Sequence, residues 1–102
     1  MTLLGISVGS LELTPEFDPN TTEYEIYWPN PGTQQTVTAE PANAGDEVTV
    51  WADFVSEGAM DIEGPPPKTY GGTDETPLNI HLSVSDGEDE KRYRIHNTYY
   101  DE

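Results

Sequence analysis

Short runs in which apolar and polar residues alternate one by one constrain this sequence more than any other feature. The clearest runs are Glu47–Phe54 and Leu78–Val84, in which every second residue is apolar. A period of two places alternate side chains on opposite faces of a β-strand, whereas an amphipathic helix needs a period of 3.6. Since no segment sustains the helical period, the sequence predicts an all-β protein.

The spacing of these runs predicts a sandwich. The chain has 102 residues, and nine Gly and nine Pro divide it into short pieces. Six or seven short strands at intervals of about 8–12 residues are typical of two packed antiparallel sheets. The predicted strands are Leu3–Val8, Leu11–Leu13, Tyr24–Trp28, Gln35–Ala39, Glu47–Phe54, Leu78–Val84 and Lys91–His96. We expect one domain over residues 1–102, with an irregular Pro/Gly-rich loop at about 56–76 and a short tail at 97–102.

The segment LTPEFDPNTTEYEIYWPN, residues 13–30, is predicted to be a corner between two strands. Pro15 ends the first strand because it has no N–H to donate. Phe17 is expected to turn inward and plug one end of the sandwich. Asp18 to Thr21 suits a tight turn, after which Tyr24 begins the next strand. A binding loop is the main alternative.

Three motifs carry a family resemblance. The opening motif contains Leu13, Pro15, Phe17, Asp18, Pro19, Asn20, Thr21, Tyr24 and Pro29; the others are TVTAEPANAGDEVTV and LSVSDGEDEKRYRIH. Together they resemble the cadherin-like β-sandwich domain of bacterial surface proteins, over about residues 3–96 except Ala52 to Pro77. The chain departs from that family in its longer Pro-rich middle section and in the tail NTYYDE. The resemblance implies an immunoglobulin-like sandwich that serves as a spacer, display or binding module, and it implies no enzymatic activity.

Charge narrows the classes of partner. Twenty acidic residues against four basic ones give a net charge of −16. Such a surface repels phosphate, so we expect neither nucleic-acid binding nor membrane insertion, and any partner is expected to be basic. The sequence has no cysteine, no apolar run long enough for a transmembrane helix and no signal peptide at its start.

The polar residues predict no catalytic site and no cofactor. His81 and His96 should face away from the core, roughly opposite each other across the last hairpin, where a solvated pair is favoured over a metal site. Four carboxylates make a weak calcium candidate, for which a solvated turn is the preferred interpretation. They are Asp86, Glu88, Asp89 and Glu90.

Exposed aromatic residues are the candidates for partner binding, because Tyr and Trp anchor interfaces and stack on sugars. The alternative is that they cover the second face of a small sandwich. The candidates are Tyr27, Trp51, Tyr70, Tyr99 and Tyr100. Trp51, Tyr27 and Tyr70 could also form a carbohydrate platform.

The sequence therefore predicts a non-catalytic structural or interaction module on a surface. The favoured setting is a phage virion, as a capsid or tail accessory that contacts the shell or neighbouring copies; an oligomer is compatible with this setting, and the sequence does not fix the oligomeric state. The alternative is a spacer, adhesion or carbohydrate-binding domain of a secreted bacterial cell-surface protein. Charge alone also suggests a DNA-mimic inhibitor.

Overall fold

A computed structural model describes residues 2–28, 33–54, 63–71 and 77–100. Within these ranges the chain forms seven strands and one 3-10 turn. The strands are β1 (Leu3–Val8), β2 (Glu23–Ile26), β3 (Gln35–Pro41), β4 (Glu47–Phe54), β5 (Lys68–Tyr70), β6 (Pro77–Ser85) and β7 (Glu90–Asn97), and Thr98–Tyr100 is the turn.

The strands form two sheets, in the orders β1-β3-β5 and β2-β7-β6-β4. The predicted all-β sandwich is therefore confirmed. All pairings are antiparallel except β2 with β7, which run parallel. Alternation shows which face a residue occupies but not the direction of the neighbouring strand, so the sequence could not reveal this parallel pair.

The core lies between the two sheets and consists of the inward residues of the strands together with Trp28, which lies just after β2. Full burial of an aliphatic or aromatic side chain contributes roughly 1.5–3 kcal/mol, so this layer supplies the main stabilisation. Its buried members are Leu3, Ile6, Val8, Tyr24, Ile26, Trp28, Val37, Val48, Val50, Ala52, Tyr70, Ile80, Leu82, Val84, Tyr93 and Ile95.

The predicted corner before β2 is confirmed. The Tyr24 hydroxyl donates to the Asp18 carbonyl oxygen at 2.7 Å and accepts from the Asp18 N–H at 3.0 Å. The Thr21 N–H donates to the same carbonyl at 2.9 Å, which closes the turn. Phe17 is partly buried and stacks on Tyr24 with ring centroids 6.1 Å apart. Burial raises the pKa of Tyr24, while the hydrogen bond from the Asp18 backbone acts in the opposite direction.

Three details of the predicted strands are wrong. Residues 11–13 form no strand; Leu11 makes only an isolated bridge to Val8. The predicted irregular loop instead contains β5, because Tyr70 packs inward and its ring contacts Phe54 at 6.2 Å. Leu78 was expected to face the core, but the register shifts there: Phe54 pairs with Pro77 and Asp53 with Asn79.

The parts of the predicted loop at 56–62 and 72–76 lie outside the described residues, as do Pro29 and residues 101–102 of the predicted tail. The predicted tail begins one residue too early, because Asn97 is the last residue of β7 and is buried. In the described part of the chain, no helix is long and apolar enough to cross a membrane.

Candidate functional site

The outer face of the four-stranded sheet carries aromatic, basic and imidazole side chains side by side. We call it the aromatic-basic face. The sequence has four Lys or Arg residues and two His, and Arg92, Arg94, His81 and His96 all lie on this face. Its residues are Glu23, Glu25, Tyr27, Thr49, Trp51, Asp53, Asn79, His81, Ser83, Arg92, Arg94 and His96.

Strand register arranges these side chains in rows across the sheet. One row runs from Trp51 through His81 and Arg94 to Glu23. The next runs from Asp53 through Asn79 and His96 to Glu25. Directly opposed side chains in antiparallel strands lie about 4.5–5.5 Å apart at Cβ, so neighbours along a row are close enough to interact.

Trp51 is the centre of a contact cluster near the β4 edge. Its ring stacks on the His81 ring, with centroids 5.4 Å apart and planes 17° apart. The Arg92 guanidinium carbon lies 5.7 Å from the Trp51 ring centroid, within the range of a cation–π contact. His81 Nε2 lies 2.8 Å from Asp53 Oδ2. Trp51 is only partly exposed, so its ring is oriented by neighbours before any partner arrives.

The two histidines have different partners. His96 Nδ1 lies 2.8 Å from Asn79 Oδ1, and β-pairing places His81 opposite Arg94. The prediction that the histidines oppose each other is therefore wrong by two residues of register. They share the face diagonally, since the tip of the hairpin lies at 86–89 and not symmetrically between them.

Tyr27 and Tyr99 form a second aromatic contact at the β2 edge. Tyr27 is 62% exposed and Tyr99 45% exposed, and their rings meet nearly perpendicularly with centroids 5.9 Å apart. The buried side chain of Asn97 holds the backbone beside these two tyrosines. Asn97 Oδ1 accepts from the Trp28 N–H at 3.0 Å and from the Tyr99 N–H at 3.1 Å.

The same asparagine also donates from Nδ2 to the carbonyl oxygens of Trp28 at 2.9 Å and Pro77 at 3.1 Å. Thr98 Oγ1 donates to the Ile26 carbonyl at 3.0 Å. The backbone is thus held on both sides of Tyr27, at Ile26 and at Trp28.

Among the sequence-predicted candidates, Trp51, Tyr27 and Tyr99 are brought onto or beside one face. Tyr70 is not: it is 3% exposed and belongs to the core, so the prediction of an exposed Tyr70 is wrong. Its burial follows from the unrecognised strand β5, which pairs with β3. The side chain of Tyr100 lies outside the described residues.

The acidic turn between β6 and β7 uses one carboxylate internally. Asp86 Oδ1 accepts from the N–H groups of Glu88 and Asp89, both at 2.9 Å. Hydrogen bonds from the Asp89 and Glu88 backbone lower the pKa of Asp86. No group of three or more acidic or histidine side chains in the described ranges, which include Glu90, is placed to hold a metal ion.

Sequence reasoning missed the basic residues of this face. A signal was present, because Lys91, Arg92 and Arg94 are three of the four basic residues of the chain and lie within four positions of one another. It missed Asn97 as well. Nothing local distinguishes a buried asparagine that binds three backbone segments from an exposed one.

The His81–Asp53 pair resembles the base and the orienting carboxylate of a catalytic triad, without a nucleophile bonded to it among the described residues. Nucleophilic catalysis needs a hydroxyl or thiol hydrogen-bonded to the base. Among the described residues, no hydroxyl is hydrogen-bonded to His81, and the sequence has no cysteine. In the structure this pair fixes the orientation of the His81 ring, which stacks on Trp51.

Comparison with known proteins gives one match. A family model described as "Cadherin-like: Cadherin-like beta sandwich domain" matches residues 4–98. Searches of curated proteins and of solved structures found no match. Domains of this family are generally non-enzymatic modules that mediate protein–protein interactions, and they are typically extracellular or surface-displayed. With two sheets of the expected kind and a match over almost its whole length, this chain belongs to the cadherin-like β-sandwich domain family.

Proposed function

We propose that this domain is a non-catalytic module that binds a protein partner through the aromatic-basic face. Interfaces are enriched in Tyr, Trp and Arg, and these residues carry most of the energy in measured interfaces. On this face Trp51, Arg92 and Arg94 occur together on one sheet, and Tyr27 directly follows its strand β2. That concentration, on a chain of net charge −16, is the observation that carries the proposal.

The setting that we propose is the surface of a phage particle, as a capsid or tail accessory protein. An acidic exterior supports this setting, because it repels nucleic acid and disfavours clumping of particles. The alternative setting is a secreted bacterial cell-surface protein, in which the domain acts as a spacer or adhesion unit. Co-sedimentation with virus-like particles separates the two: retention on particles supports the first, and absence of retention argues for the second.

Binding through this face is tested by affinity capture with matched variants. Wild-type protein, a double variant Trp51→Ala/Arg94→Ala, and a control double variant Thr36→Ala/Thr38→Ala on the three-stranded sheet are immobilised in parallel. We expect a partner that is retained by wild type and control, lost with the face variant, and reproduced with purified components. Equal retention by all three proteins would overturn the assignment of the face.

Carbohydrate binding is a weaker candidate on this geometry. Tyr70 is buried, and the Trp51 ring already contacts His81 and Arg92, so a sugar would have to displace existing contacts. A glycan array gives the direct check. A sugar that binds wild type and fails to bind the Trp51→Ala variant would restore this candidate.

A further inference from the structure

A cleft beside Tyr27 has the chemistry of a cation site. It has a volume of about 370 Å³ and lies between the chain before the corner and the β2 edge. Glu12, Glu25, Tyr27 and Thr98 are among the residues that line it. An aromatic ring near carboxylates attracts a cation through two interactions: the cation–π interaction with the ring and the Coulomb attraction of the carboxylates.

The walls of this cleft are held in place by backbone hydrogen bonds. Thr14 and Glu25 exchange two such bonds, from the Thr14 N–H at 2.9 Å and from the Glu25 N–H at 2.8 Å. On the other side, Thr98 binds the Ile26 carbonyl, and Tyr99 packs against the Tyr27 ring. A ring that is already oriented loses less conformational entropy when a ligand binds.

The basic residues of the chain itself do not occupy the cleft. Lys91 donates to the Pro19 carbonyl, while Arg92 and Arg94 pair with Glu90 and Glu23. Lys68 lies on β5 of the other sheet. Among the described residues, no ion pair involves Glu12 or Glu25. No Lys or Arg of the chain therefore neutralises these carboxylates among the described residues; His96 lies opposite Glu25 in the β2–β7 register.

We propose that this cleft receives a lysine or arginine side chain of a basic protein partner. The inference deepens the proposed function and rests on it, because it names the charge of the partner and the point where one of its side chains anchors. Charge complementarity supports this occupant over a second copy of the chain, since a copy with net charge −16 offers few free cations. A basic segment brings the ammonium or guanidinium group against Tyr27, with its charge between Glu12 and Glu25.

The test uses a defined probe and not the natural partner. A capped peptide, Gly-Ser-Lys-Ser-Gly, and the same peptide with Gln at its centre are titrated into ¹⁵N-labelled protein at constant ionic strength. We expect the lysine peptide to shift backbone amide signals around Glu12, Glu25 to Tyr27 and Thr98 to Tyr99, and the glutamine peptide to leave them in place. Shifts spread over the acidic surface, or no shifts, would overturn the inference.

Variants of the protein distinguish binding of the lysine peptide in the cleft from its general attraction to an acidic protein. Tyr27→Ala and Glu25→Gln should each weaken binding of the lysine peptide about fivefold, the size of an exposed cation–π or ion-pair contribution. Tyr27→Phe keeps the ring and should bind as wild type does. Glu47→Gln, at an exposed carboxylate of β4, is the matched control and should have no effect.

Equal weakening by Glu25→Gln and Glu47→Gln would show attraction by net charge only and would refute the cleft. That result would leave the affinity capture described above unaffected, so failure of the cleft is distinguishable from failure of the proposed function. Because the Tyr27 side chain is largely exposed, the Ala variant should keep its fold, and its amide spectrum verifies this directly.

Discussion

The outer faces of the two sheets differ although their inner faces are built alike. The three-stranded sheet presents a hydroxyl face, formed by Ser7, Thr36, Thr38 and Thr69, with Leu4 and Glu40 also exposed on its strands. Its hydroxyls pair across strands, Ser7 with Thr38, and Thr36 with Thr69 at 3.0 Å. The four-stranded sheet instead presents Trp51, Tyr27 and charged side chains of both signs.

This difference indicates which outer face only covers the core and which is suited to binding a partner. Cross-strand hydroxyl pairs satisfy one another and suit a face that needs only to be soluble and regular. Partly exposed aromatic rings and paired charges cost solubility and side-chain entropy, and a face that carries them is better suited to contact with another molecule. Inner faces must exclude water in both sheets, so they show no such difference.

Among variants that test this comparison, Asn97→Ala is expected to lower the free energy of unfolding the most. The change removes a buried side chain, 1% exposed, whose four hydrogen bonds join Trp28, Pro77 and Tyr99, and it leaves buried backbone groups unpaired. We expect a loss of about 3 kcal/mol in the free energy of unfolding, because each unpaired buried group costs about 1–3 kcal/mol. Urea denaturation measures this loss.

Thr69→Ala on the hydroxyl face is the control for Asn97→Ala and should cost under about 0.5 kcal/mol. A loss at Asn97 no larger than that control would mean that the end of β7 is not held by this side chain. The contrast between the faces would then lose its structural basis at the β2 edge.

A smaller effect is expected from Trp51→Ala compared with Thr38→Ala. Trp51 stacks on His81 and lies under Arg92, whereas the Thr38 hydroxyl is hydrogen-bonded to that of Ser7. We expect Trp51→Ala to cost about 1–1.5 kcal/mol, from lost aromatic and cation–π contacts, and Thr38→Ala under about 0.5 kcal/mol. Thermal and urea unfolding of both variants provide the measurement. Equal costs would indicate that the aromatic-basic face has no more internal structure than the hydroxyl face.

The smallest effect is the coupling between Arg94 and Glu23. Their side chains approach to 3.2 Å but are 47% and 71% exposed, so solvent screens the pair strongly. A double-mutant cycle with Arg94→Gln and Glu23→Gln should give a coupling of about 0.2–0.5 kcal/mol that decreases in 0.5 M NaCl. A coupling that does not respond to salt would contradict this assignment and would indicate a contact other than a screened ion pair.

Much of the fold could be predicted because its signals are local. Alternation located six of the seven strands of the described chain, and turn chemistry located the corner at Asp18. The strand β5 was missed because three residues, Lys68 to Tyr70, are too few to show a period. The parallel pairing of β2 and β7 was missed for another reason: it depends on which strands become neighbours, and alternation does not record this.

The candidate site was predictable in part. Tyr27, Trp51 and Tyr99 could be named as exposed aromatic residues, but their gathering at one sheet depends on the order β2-β7-β6-β4. The contacts of Trp51 with His81 and Arg92 depend on a register between three strands. Nothing in a single sequence shows that residues 51, 81 and 92 become neighbours, so these contacts could be seen only in the structure.

The sequence by itself determined that the chain forms short strands, which side of most of them turns inward, and that the exterior is acidic, because these properties belong to single residues and their nearest neighbours. Only the tertiary structure decided that Tyr70 is core, that Arg92 of β7 lies beside Trp51, and that Asn97 binds the backbone of Trp28 and Tyr99. These outcomes depend on contacts between residues distant in the chain, and such contacts form when two sheets pack and their strands take one register among many.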